Sequence, residues 1–327
     1  MSRRLRSARS GGAVDMGVQV GSVRLANPVM TASGTSGHGA ELGCYFDLSS
    51  LGAVVVKSVS VEPWAGNPPP RIHPFSAGML NSVGLQNRGV AAWLREELPE
   101  LASAGAAVVA SIWGRRADDY RRAAATLAGA LAEEGPARAI VAVEANISCP
   151  NIEDRNNMFA HSPAGTAAAV AAAVDGLAGS GLPLWAKLSP NVTDLPAIAG
   201  VALDAGAEAL TLVNTLMGLA LDPAGGRPLL GAGGGGLSGP ALHPVAVRAV
   251  YDCRAAHPGA AIVGVGGVAS AEHAAELLVA GAHAVQVGTA TFVDPRAPAR
   301  VRHGLERWCR HHGVGAVSEL IGRAHAS

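Results

Sequence analysis

Short apolar runs alternate with alanine-rich stretches of helical length through most of the chain. The runs are PVMTA (28–32), AVVVK (53–57), AVVASI (107–112), IVAVEA (140–145), LWAKL (184–188), ALTLV (209–213), AIVGV (261–265) and AVQVG (284–288). Each is apolar on both faces instead of strictly alternating, as a parallel strand covered on two sides must be. Between most of them lie helix candidates such as ADDYRRAAATLAGALAEEG, AGTAAAVAAAVDGLAGSG, DLPAIAGVALDAG and SAEHAAELLVAGA. In the last, Ser270 is placed to cap the helix and Gly281 to end it. Eight β/α units in a row predict an α/β fold of the (β/α)8 TIM-barrel kind. A doubly wound open sheet is the alternative, and the chain length and the count of eight favour closure.

Upstream, VQVGSVRL reads as a small N-terminal β-hairpin turning at Gly21-Ser22. Two connections, 58–106 and 214–242, are too long for simple loops and predict active-site lids or platforms. No linker-like stretch divides the chain, so residues 14–327 read as one domain. The arginine-rich residues 1–13 read as a disordered tail and not a secretory signal.

Composition narrows the function. At 327 residues and 49% hydrophobic, the chain can bury a large core. Lysine plus arginine and aspartate plus glutamate are both 25, and this balance argues against a nucleic-acid binder. The four cysteines, Cys44, Cys149, Cys253 and Cys309, are far apart with no CxxC pair, which argues against a zinc or iron–sulfur cluster held by this chain alone. Cys309, His311 and His312 are close in sequence but read as surface residues of a terminal helix, so no metal is expected. Few, unclustered cysteines fit a reducing cytoplasm. The sequence holds no apolar run of the ~18 residues that would predict a membrane span.

In a barrel, the C-terminal strand ends meet on one face, where catalysis is found. Those ends carry Ser33 and Gly34, Lys57, Ser111 and Gly114, Asn146 and Cys149, Lys187, Asn214 and Thr215, Gly266-Gly267, and Gly288-Thr289. The last two turns, at the seventh and eighth strands, predict a phosphate site made of backbone N–H groups and favoured by a helix N-terminus. Lys57 and Lys187 end buried strands and must face anions or water, so the ligand should have more than one negative centre. Asn81, Asn146, Asn151 and Asn214 each offer donors and an acceptor together, which suits a flat heterocycle with alternating C=O and N–H edges. Cys149, in the polar loop NISCPN, has the chemistry of a nucleophile or a general base. No motif places a histidine beside it, so a hydrolase-type dyad is unsupported. On residues alone, two other readings stay open. One is a flavin-free phosphate-binding barrel, an aldolase or isomerase using Lys187 as a Schiff-base amine. The other is a barrel without catalysis.

Taken together and in order, NPVMTASGT, KSVSVEPWAGNPPPR, GMLNSVGLQN, NISCPN, AKLSPN, NTLMG, GGLSGPALHP, GVGGV and QVGTA resemble the class 1 dihydroorotate dehydrogenases, class 1B in particular, from about Val18 to Val301. The resemblance implies an FMN-bearing barrel that oxidises dihydroorotate to orotate in pyrimidine biosynthesis. It implies Cys149 as general base, with Lys57 beside it in the catalytic set. Lys57, Asn81, Ser82, Val83, Gly84, Leu85, Asn146, Asn151, Asn214 and Thr215 would hold the substrate, Gly84 and Leu85 through their backbone. Ser33, Lys57, Ser58, Asn146, Lys187, Val213, Gly239, Gly266, Gly267, Gly288 and Thr289 would hold FMN. It further implies a homodimer in the cytoplasm and a partner subunit carrying FAD and a 2Fe-2S cluster that passes electrons to NAD. A fumarate-reducing class 1A arrangement, or a related FMN-dependent pyrimidine reductase, is the fallback. The chain departs from the 1B pattern at Ser111 and Trp113 in SIWG, at Ser36 and His38 in GTSGHG, and in the loop EDRNNMFAHSP.

Overall fold

The computed structural model describes residues 13–148 and 158–326. The arginine-rich tail and the segment containing Cys149 and Asn151 lie outside the described residues. A hairpin of β1 (Val18–Val20) and β2 (Val23–Leu25) comes first. In chain order there follow β3 (Val29–Thr31), β4 (Val54–Val55), β5 (Ile72–Phe75), β6 (Gly78–Asn81), β7 (Val108–Ile112), β8 (Ile140–Asn146) and β9 (Leu184–Lys187). The last are β10 (Ala209–Leu212), β11 (Leu216–Gly218), β12 (Gly235–Ser238), β13 (Ala261–Val265) and β14 (Ala284–Val287).

The eight predicted apolar runs become one eight-stranded parallel sheet in the order β3-β14-β13-β10-β9-β8-β7-β4. Almost every residue in these strands is buried, as two-sided covering requires. The sheet closes through a parallel bridge between Met30 and Ala53. Thr31 reinforces that seam with its side chain, since its Oγ1 donates to Val55 O at 3.1 Å and accepts from Val55 N at 2.8 Å. The architecture is the predicted (β/α)8 barrel.

The helices begin and end where the sequence places caps. Ser162 accepts from Gly165 N at 3.1 Å, Asp194 from Ala197 N at 3.0 Å and Ser270 from His273 N at 3.3 Å. Gly281 ends the helix Ala271–Ala280 at φ 129°, a conformation that disfavours a side chain. The hairpin covers the bottom of the barrel. It buries Val18, Val20, Val23 and Leu25, and the Ser22 N–H donates to Glu208, just before β10.

Cys309 departs from the sequence expectation. It is fully buried on the helix Ala297–His311, because Val301, Leu305 and Cys309 recur every four residues and form that helix's core-facing stripe.

The two long connections form a second, antiparallel sheet that periodicity did not reveal. Its order is β11-β12-β6-β5, so segments from both connections pair edge to edge above the barrel. Asn81 faces Gly236 across the central ladder, and a Cβ at Gly236 would stand 2.1 Å from Thr215 Oγ1. The glycine run 233–236 thus lets a roof strand press onto the barrel mouth.

Candidate active site at the C-terminal mouth of the barrel

The strand tips and the roof enclose one cavity of about 540 Å³, within the range of small-molecule sites. Ser33 and Gly34 reach it after β3, Lys57 and Ser58 after β4, Asn146 and Ser148 at the end of β8, and Lys187 at the tip of β9. Val213, Asn214 and Thr215 follow β10, Gly266-Gly267 follow β13, and Gly288-Thr289 follow β14. The roof contributes Asn81, Ser82, Val83, Gly84, Leu85 and Gly239. Every substrate- and FMN-binding residue implied by the resemblance that lies within the described residues lines this one cavity, whereas Ser111 and Gly114, also at a strand end, do not.

The amides and hydroxyls form one connected chain. Ser58 Oγ lies 3.1 Å from Ser33 Oγ and 2.9 Å from Ser111 Oγ, and it accepts from Asn146 Nδ2 at 3.2 Å. Asn214 Nδ2 donates to Asn146 Oδ1 at 3.1 Å, and the Thr215 N–H donates to Asn214 Oδ1 at 2.8 Å. Tyr120 fixes the strand end by donating its hydroxyl to Asn146 O at 2.8 Å. Each carboxamide is thus oriented by a neighbour before any ligand arrives, which is the preorganisation that recognition of a polar ring requires.

Ser111, one of the departures, sits at the buried end of this chain. Trp113 packs edge-on against Trp64 with ring centroids 5.8 Å apart and does not line the cavity. Ser36 donates to Val55 O at 3.2 Å. His38 sits close enough to Lys57 to feel its charge. Burial first, then that charge, holds its imidazole below the usual value.

The lysines differ in surroundings. Lys57 runs along Gly34, whose φ of 87° favours glycine, with Nζ 3.7 Å from the position a Cβ there would take. Lys187 is buried, with Nζ 3.6 Å from Oε1 of the fully buried Glu144. The other oxygen of Glu144 accepts from Gln286 Nε2 at 2.8 Å across the barrel interior. Neither Glu144 nor Gln286 was anticipated from sequence. Each is a lone polar residue in a doubly buried strand, IVAVEA or AVQVG, and such a residue needs a buried partner.

Other residues that sequence reasoning missed fasten the roof. Asn191 ties it to the barrel, donating to Thr215 O at 2.9 Å and accepting from Met217 N at 2.8 Å. Ser238 accepts from Thr289 Oγ1 at 2.8 Å, and Asn67 donates to Ser82 Oγ at 2.8 Å. Leu85, at φ 61°, is the one non-glycine residue with positive φ among the described residues, and it follows Gly84 at φ 70°. Two successive left-handed residues beside a cavity are the kind of backbone outlier found at ligand clamps.

The phosphate reading is refined in one respect. The helix after β14 is a single turn, Ala290–Val293, so it adds little dipole field. The cradle rests on backbone geometry, with Gly266 at φ 145° and Gly267 at φ 65°. A Cβ at Gly267 would lie 2.7 Å from His243 Cβ, which leaves no room for a side chain.

Fold and cavity together define a TIM-barrel protein whose mouth suits an anionic, flat, amide-edged ligand. Comparison with known proteins gives the family. The dihydroorotate dehydrogenase family model matches residues 16–308. The chain is 47% identical over 312 residues to the "Dihydroorotate dehydrogenase B (NAD(+)), catalytic subunit" of Desulforudis audaxviator, covering 95% of this chain and 98% of that one. It is 44% identical over 308 residues to the protein of that name from Pelobacter propionicus, covering 94% and 98%. A dihydroorotate dehydrogenase crystal structure from Eimeria tenella, in complex with ferulenol, superposes with a TM-score of 0.76 at 23% identity, covering 96% of this chain and 89% of that one. This chain belongs to the dihydroorotate dehydrogenase family.

Proposed function

We propose that this chain oxidises dihydroorotate to orotate in pyrimidine biosynthesis. FMN would be bound in the barrel mouth, and electrons would leave through a second subunit. The observation that carries this is the convergence of Lys57, Asn81, Asn146, Lys187, Asn214 and both glycine turns on one cavity.

The residues present fit FMN. The Gly266-Gly267 and Gly288-Thr289 turns make a cradle with glycine at three of its four positions, suited to its phosphate. Ser148 Oγ borders the cavity, buried and without a hydrogen-bond partner among the described residues, so a polar group is called for there. When bound, FMN supplies a two-electron acceptor for a hydride. Ser33, Ser58, Asn146, Val213 and Gly239 would hold its ring and chain. Lys187 would place its ammonium where negative charge builds on reduction.

The substrate would be fixed by Lys57 at its carboxylate and by Asn81, Asn146, Asn151, Asn214 and Thr215 along its amide edges. Gly84 and Leu85 would offer backbone groups from the roof. Cys149 would take the proton from C5 as the hydride leaves C6, so that the C5–C6 bond becomes double and two electrons depart. Asn146 and Ser148 hold the near end of its loop at the cavity wall.

The term "catalytic subunit" in the relatives' names supports a second subunit, which in this reading carries FAD and a 2Fe-2S cluster and reduces NAD. The chain itself would pair as a homodimer in the cytoplasm. Among the described residues no helix is long and apolar enough to cross a membrane. A patch of Ile72, Phe75, Phe292 and Val293 is exposed at the cavity's edge, and it supports docking of the electron-accepting subunit there. The test is direct. Purified protein should carry one FMN, and dihydroorotate should bleach it without oxygen. Protein that takes up no FMN overturns the reading.

A further inference from the structure

His243 opens the helix His243–Ala256 and lies buried behind the Gly266-Gly267 turn. Its Nδ1 is 2.9 Å from Gly266 O, and its Nε2 is 3.0 Å from Glu276 Oε2. A carbonyl oxygen and an ionised carboxylate are both acceptors only. Each ring nitrogen must therefore donate, and an imidazole that donates from both nitrogens is a cation.

The carbonyl it contacts belongs to the Gly266–Gly267 peptide. A charged donor on that carbonyl polarises the same peptide's N–H, contributed by Gly267, and makes it a stronger donor. The lysines of the cavity sit at the tips of β4 and β9 and not on the β13 and β14 turns themselves. At its glycines the cradle offers backbone alone. We propose that His243 is a positioning residue held as an imidazolium, which charges the phosphate-binding turn from behind. This rests on the FMN reading.

The surroundings are consistent with one positive charge there. The helix Ala271–Ala280 presents Glu276 and also His273, whose ring lies 4.4 Å from that of His243. Burial first, then the charge of His243, holds His273 below the usual imidazole value, and Glu272 acts on it from the same helix. On its own helix the next charged residues, Arg248 and Asp252, pair with each other. The preceding turn, Pro240–Leu242, has no titratable group. Across the adjoining cavity, Arg300 is paired with Asp294 at 2.8 Å.

The test measures FMN dissociation constants by flavin fluorescence for wild type, His243→Gln and His243→Lys in one buffer. The expected result is binding about tenfold weaker in His243→Gln, a single screened charge acting over several ångströms. His243→Lys should stay within about twofold of wild type. Imidazole ¹⁵N shifts of the FMN-bound protein should show both His243 nitrogens carrying a proton, with the signal assigned by its loss in His243→Gln. A neutral ring, or His243→Gln binding FMN as tightly as wild type, overturns the inference and leaves the function standing. Failure of wild type to bind FMN overturns the function itself.

Discussion

Lys187 Nζ lies 3.6 Å from Glu144 Oε1, with both side chains buried, the lysine at the tip of β9 and the glutamate inside the barrel on β8. The cation at the reacting mouth is therefore partly countered from below. Removing one member of a buried pair leaves a charge without compensation and costs about 3–5 kcal/mol. Glu144→Gln should lower the urea midpoint accordingly. It should also shift the bound flavin's potential to more positive values, because an uncountered ammonium favours the reduced, anionic ring. A potentiometric titration with the flavin potential unchanged would separate Glu144 from the site. Lys187→Ala should slow flavin reduction by about 10²-fold or more, the scale of losing one electrostatic stabiliser.

Cys149→Ala should keep the flavin spectrum while anaerobic reduction by dihydroorotate slows about 10²- to 10⁴-fold, the usual contribution of a positioned base. Stopped-flow absorbance reads this, and an unchanged rate would assign the proton to another group.

Thr31 closes the barrel with two hydrogen bonds to Val55, one in each direction. Thr31→Val keeps the shape and strands the buried Val55 N–H, while Val55 O keeps the hydroxyl of Ser36. A loss of about 1–3 kcal/mol is expected for the one unsatisfied donor, read as a lower denaturation midpoint. No loss would show that the Met30–Ala53 bridge alone holds the seam.

Val293 is 89% exposed beside the active-site mouth but does not line the main cavity. Val293→Asp should leave dihydroorotate oxidation by an artificial acceptor unchanged while NAD reduction through the partner subunit falls. Equal loss, or no loss, in both assays would remove this patch as the docking face.

His283 titrates against stability. Burial, then the charge of Arg254, lowers its imidazole to about 4. The unfolded chain, with an ordinary value near 6.5, binds the proton first. Stability from this group is thus complete above about pH 6.5 and is lost as pH falls toward about 4, amounting to about 3 kcal/mol at most. His283→Asn should show a shallower loss of urea midpoint than wild type between pH 7 and 4. Parallel curves would refute the assignment.

The barrel was legible in the sequence because buried parallel strands leave a signature independent of partners, namely runs apolar on both faces. The candidate site was legible as a cluster because Lys57, Asn146, Lys187, Asn214 and the glycine turns interrupt those runs at their C-terminal ends and so share one cavity. The roof was not legible. Its strands are three or four residues long and either largely exposed, as in IHPF, or glycine-bearing, as in LMG and GGLS, so neither periodicity nor propensity marks them. Cys309 was misplaced because adjacent histidines drew attention away from its spacing with Val301 and Leu305. Glu144 and Gln286 were overlooked because they face inward, where only the closed barrel brings β8 and β14 across from each other.

Because β6 and β12 descend from different connections yet share one ladder, neither half of the polypeptide owns the ceiling of the reaction chamber. A fragment ending before β12 would leave β6 without its ladder partner and, lacking β13 and β14, would leave the barrel open as well. Catalytic competence in this molecule is consequently all-or-none with respect to chain completion, and a truncated product would be inert instead of partially active.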